Sequence, residues 1–67
     1  MDEEKLNLSV RKFLKHVGVT SQREIEKAVR AAAERGDLPG GPLRIAVQLE
    51  CPDLDLSHEI EGRIETG

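Results

Sequence analysis

The chain has 67 residues with thirteen acids against ten bases, a net charge of −3, which is length for one small domain. That acidic balance argues against a dedicated nucleic-acid binder, whose affinity comes from Lys and Arg neutralising phosphates, and against a basic membrane-surface peptide. A single cysteine, Cys51, excludes an intramolecular disulfide and fits a reducing compartment.

No apolar run approaches the roughly 20 residues of a membrane span. The start, MDEEKLNLS, is acidic where a signal peptide is basic and then apolar, so a cytoplasmic protein is expected. Phe13 is the only aromatic residue, and 37% of the chain is apolar. Any core must be built from Leu, Ile, Val and Ala, and burial in a dimer or against a partner would widen a thin stability margin.

Asp2, Glu3 and Glu4 place negative charge at the positive end of a helix dipole. Leu6, Val10, Phe13, Leu14 and Val17 follow within an arc of roughly 100°, the stripe of an amphipathic helix packed on one side. Arg11, Lys12, Lys15 and His16 suit its negative end, and Gly18 reads as a left-handed stop. The first helix is therefore predicted at about 3–17.

Ser21 and Glu24 form an S-x-x-E capping box, with Thr20 as the rival cap. A second helix at about 21–35 carries Ile25, Ala28, Val29, Ala32 and Ala33 on one face. Three alanines there allow another backbone close. Glu26–Arg30 and Arg30–Glu34 are i,i+4 pairs, and Gly36 ends the helix. With so few residues between them, the two helices are expected to meet in a tight αα-corner or hairpin.

Asp37-Leu38-Pro39-Gly40-Gly41-Pro42 is the one breaker-rich segment, a crossover from helices to strands. Leu43, Ile45, Val47 and Leu49 alternate with polar or small residues in a strand at about 43–50. Cys51-Pro52-Asp53 breaks it. A second alternation, Leu56, His58, Ile60, Gly62 and Ile64, marks a strand at about 55–65, with His58 on the apolar face by parity. A loop of about four to six residues closes an antiparallel hairpin. Pairing Leu49 with Leu54 or with Leu56 keeps the apolar faces together, whereas a one-residue slip would not.

The run SVRKFLKHVGVTSQREIEKAVRAA, followed by strands ending in LSHEIEGRIE, resembles a family of short bacterial proteins known only as a domain of unknown function. VGVTSQREIEKAVR is the specific part of the resemblance, which covers nearly the whole chain. It implies an ααββ architecture and supplies no catalytic residues. It also leads one to expect a glycine-containing turn where this chain has Cys51-Pro52.

The expected fold class is thus α+β, two helices packed on one face of a C-terminal antiparallel β-hairpin in the order ααββ. Core candidates are Leu6, Val10, Phe13, Leu14, Val17, Ile25 and Val29 of the helices, with Leu43, Ile45, Val47, Leu49, Leu56, Ile60 and Ile64 of the strands. Phe13→Ala is expected to be the most damaging change, at about 3–5 kcal/mol for a buried aromatic.

Four kinds of chemistry can be weighed. A helix-turn-helix reader would use the second helix, but Glu24, Glu26 and Glu34 sit among Arg23, Lys27 and Arg30 and would repel phosphate. A metal site would have to draw on His16, Cys51 and His58, which lack ligand spacing, so no metal or cofactor is expected. Cys51 lies between Glu50 and Asp53, surroundings that oppose thiolate formation, and no enzymatic activity is expected. A protein-interaction or regulatory module fits best. A two-stranded sheet leaves both edges open to an unidentified protein partner or to a homodimer formed through the hairpin edge. Arg23, Lys27, Arg30, Glu59 and Glu61 are the charged residues singled out for such a partner surface.

Overall fold

The computed structural model describes residues 1–67, and its architecture is one helix followed by one hairpin. Helix α1 runs Glu3–Arg35, 33 residues without a break. Strand β1, Leu43–Cys51, pairs antiparallel with β2, Leu56–Ile64, across a single 3₁₀ turn at Pro52–Leu54. The α+β class and the C-terminal hairpin stand as expected. The pair of helices does not.

The αα-corner is absent because the chain stays helical through Gly18, Thr20 and Ser21. A glycine inside a helix costs roughly 0.5–1 kcal/mol relative to alanine. Breaking the helix there would leave up to four carbonyls and four N–H groups to be satisfied elsewhere. Val17, Ser21, Ile25, Val29 and Ala32 continue one stripe across the glycine at spacings of four and three, and all five are half-buried. Continuity wins. The S-x-x-E box is therefore interior, and no backbone N–H donates to the Ser21 hydroxyl.

The true caps lie at the far ends. The Asp2 carboxylate accepts from the N–H groups of Glu4 at 3.0 Å and Lys5 at 3.1 Å. At the other end Gly36 is left-handed, with φ 74°. Its N–H donates to the Ala33 carbonyl at 3.1 Å, and that of Asp37 to Ala32 at 2.8 Å, the paired bonds of a Schellman closure.

In the hairpin, Leu43↔Ile64, Val47↔Ile60, Leu49↔His58 and Cys51↔Leu56 share the apolar face. Leu49 thus faces His58 rather than Leu54 or Leu56, although the predicted parity is kept. The loop is Pro52–Asp55, and its left-handed residue is Asp55 with φ 52°. The turn contains no glycine.

Shape follows from the lengths. Thirty-three helical residues span roughly 50 Å at 1.5 Å each, which accounts for the longest dimension of the 51 × 20 × 17 Å molecule. A nine-residue hairpin is about 30 Å long. It fits neither across the short dimensions nor as a continuation of the helix, so it is directed back alongside the C-terminal half of α1. Val17, Ser21, Ile25, Val29 and Ala32 of α1 and Leu43, Ile45, Leu49, Cys51 and Ile64 of the hairpin are half-buried, and no residue of the chain is fully buried.

Every one of the fourteen core candidates is therefore corrected to half-buried or exposed, because without a second helix the stripe of α1 and the apolar face of the hairpin are covered only in part. Phe13 is 54% exposed. The expected cost of Phe13→Ala, which presumed full burial, does not apply to the isolated chain.

Candidate functional site

The most distinctive surface is apolar and lies on the first half of α1. Leu6, Val10, Phe13 and Leu14 recur at helical spacing and are 45%, 44%, 54% and 53% exposed. Further along, the same stripe is carried by Val17, Ser21, Ile25, Val29 and Ala32, the half-buried positions beside which the hairpin is directed. On the hairpin, Val47, Leu56 and Ile60 remain exposed on the apolar face.

Simple scaling shows how unusual this is. A compact monomer of 7.4 kDa exposes about 4,200 Å², whereas this chain exposes 6173 Å². Its radius of gyration is 15.9 Å, against about 11 Å for a compact domain of this length. Scattered surface leucines need no explanation, but a contiguous row of them on a helix with no core beneath it does.

The charges divide the helix in two. In the second half they pair locally, Glu24 with Lys27 at 3.5 Å and Glu26 with Arg30 at 4.0 Å, while Gln22 donates to Glu26 at 3.2 Å. Arg30 turns to Glu26 and forms no ion pair with Glu34. Arg35 meets Asp37 at 3.1 Å just beyond the cap. In the first half, Glu3, Glu4, Arg11, Lys12 and Lys15 form no ion pair at all.

The residues singled out for a partner surface fall in two places. Arg23, Lys27 and Arg30 occupy the helix face opposite the apolar stripe. Glu59 and Glu61 lie on the polar face of β2, across from Gln48 and Ala46. No ion pair joins the two groups. What sequence reasoning missed is the unpaired charge around Leu6–Leu14, and the signal was available. Acids at 2–4 and bases at 11–16 leave nothing of opposite sign among the i,i+4 neighbours of Arg11 and Lys15.

The soft ligands are dispersed in the same way. His16 is on the helix, while Cys51 and His58 sit two positions apart on the apolar face of the hairpin. No three His, Cys, Asp or Glu side chains gather into a cluster. The surface concavities, one along the first turns of α1 and one beside Arg44 and Arg63, are open. With one helix there is no helix-turn-helix, so a nucleic-acid reading through a second, recognition helix falls. No helix is long and apolar enough to cross a membrane.

Comparison with known proteins places the chain in one family. Residues 1–67 match the family described as "Family of unknown function (DUF6494)", and the chain belongs to it. No curated protein and no solved structure matches it.

Proposed function

We propose that this member of a family of unknown function is a non-enzymatic interaction module whose hydrophobic core is completed by another polypeptide. The observation that carries the reading is the absence of any buried residue beside an ordered apolar stripe. Folding must offset a conformational entropy cost of about 1–2 kcal/mol per residue, and half-exposed aliphatic side chains recover only part of what burial yields. A second chain laid on Leu6, Val10, Phe13 and Leu14 supplies the missing burial. The hairpin, with both outer edges unpaired, offers a further place for strand addition. Arg23, Lys27 and Arg30, on the helix face away from the stripe, and Glu59 and Glu61, on the polar face of β2, are separate charged surfaces that a partner reaching beyond the stripe would meet.

Urea unfolding of the purified chain across a wide concentration range tests this. The expected result is a shallow, non-cooperative transition at nanomolar concentration that sharpens only when a binding chain is present. A cooperative transition at the same urea concentration throughout, from a species of monomer mass, would overturn the reading, because such a chain has its own core.

A further inference from the structure

We infer that the open edge of β1 pairs with β1 of a second copy, antiparallel about Val47, so that two hairpins join into one four-stranded sheet. The inference rests on the interaction reading above, in its strand-addition form, and names the edge, the occupant and the register.

The two edges of the hairpin differ in charge. With only two strands in the sheet, β1 and β2 each have one side without a strand neighbour. Along β2, Glu59 and Glu61 both stand on the polar face. Laid antiparallel on its own copy about Ile60, β2 sets Glu59 against Glu61 twice. Centred on Glu59 or Glu61 instead, it sets one carboxylate against its own twin. Like charges directly opposite are destabilising, and charges of this kind guard an edge against such pairing. β1 carries only Arg44 and Glu50, three positions to either side of Val47.

That spacing fits β1 to itself. Val47 is the midpoint of the nine-residue strand, so a two-fold pair about it matches the whole strand. Arg44 of each copy then falls opposite Glu50 of the other. Sliding by two residues, the smallest shift that keeps the faces together, loses both matches. Neither charge is answered within the chain. Arg44 lies across from Arg63, and Glu50 across from Ser57, whose hydroxyl accepts from Gln48 at 3.0 Å. No ion pair involves Arg44 or Glu50. A carboxylate brought beside Arg44 therefore relieves a like-charge pair that the hairpin alone leaves standing.

The same register continues the apolar face from one copy to the next. Ile45 meets Leu49, Leu43 meets Cys51, and Val47, 41% exposed in the single chain, meets its twin. Four strands about 4.8 Å apart are about as wide as two helices packed side by side at about 10 Å, so each copy's α1 has room on the shared layer. The outer edges of the joined sheet are the two β2 strands with Glu59 and Glu61, and growth stops at two copies.

Sedimentation equilibrium of the full chain at low salt tests the inference with Arg44→Glu, Glu50→Arg and the two combined. The wild type is expected to dimerise. Each single reversal turns two attractions per dimer into repulsions and should weaken dimerisation about tenfold. Arg44→Glu also sets a carboxylate opposite Arg63, which favours the hairpin itself, so its loss of dimer is not a loss of fold. The double reversal should return affinity to within about threefold of wild type. As a second measurement, Val47→Cys in a Cys51→Ser background should oxidise to a disulfide-linked dimer faster than Ile60→Cys in the same background. Chance collision would favour Ile60, which is 53% exposed. A dimer indifferent to the single reversals, one that the double reversal fails to restore, species larger than a dimer, or faster cross-linking through Ile60→Cys each overturns the β1 pairing and leaves the interaction reading intact. A monomer that unfolds non-cooperatively does the same. A monomer with cooperative unfolding overturns both.

Discussion

Asp55 is the only non-glycine residue with left-handed backbone, φ 52°, and its N–H closes the turn on the Pro52 carbonyl at 3.2 Å. Left-handed geometry costs an ordinary L-residue about 1–2 kcal/mol, and Asp and Asn tolerate it better than branched residues do. Asp55→Val should therefore destabilise the hairpin by about that amount, while Asp55→Gly should be neutral or slightly stabilising. Chemical-shift dispersion of the Leu43–Cys51 and Leu56–Ile64 amides reads the difference. The same kind of local control operates at Asp2, whose carboxylate takes two backbone N–H groups at the helix entrance. Asp2→Ala should cost about 1 kcal/mol, seen as faster amide exchange confined to the first turn of α1.

At the level of the element, the lesson concerns Gly18. Read alone, Val-Gly-Val-Thr-Ser followed by Glu24 carries both a stop and a start. The competing signal was the phase of the apolar stripe, which runs from Val17 through Ser21 to Ile25 at the spacing of one continuous helix. Capping motifs satisfy a few backbone groups, and an unbroken helix satisfies all of them. A side chain at Gly18 would meet nothing within 4 Å, so Gly18→Ala should raise helix stability by about 0.5–1 kcal/mol, visible as increased helical circular dichroism. Were the chain bent at that point under working conditions, the substitution would gain nothing. The hairpin was easier to read because alternation determines which side chains share a face. Its register was not legible. Pairing Leu49 with Leu54, Leu56 or His58 all preserve parity, and the choice fell to the four-residue loop that Asp55 can close.

For the whole molecule, the missing core changes what a mutation measures. Phe13 is 54% exposed in the single chain, so Phe13→Ala should alter the helicity of the dilute chain little. Loss of the remaining burial, about 1 kcal/mol or more, should appear instead as weaker binding of the chain that covers the stripe under the proposed function, measured by the concentration at which sedimentation detects the larger species. The scarcity of long-range packing also bears on time. Apart from the pairing of β1 with β2, few close backbone contacts link one element to another. A helix–coil transition takes about 0.1–1 μs and a hairpin about 1–10 μs, so each element can form before the chain has met anything. If another polypeptide completes the core as proposed, the slow event is diffusional encounter with it. The supply of that partner then acts as a folding parameter, and its scarcity would reduce the ordered fraction as surely as a destabilising substitution.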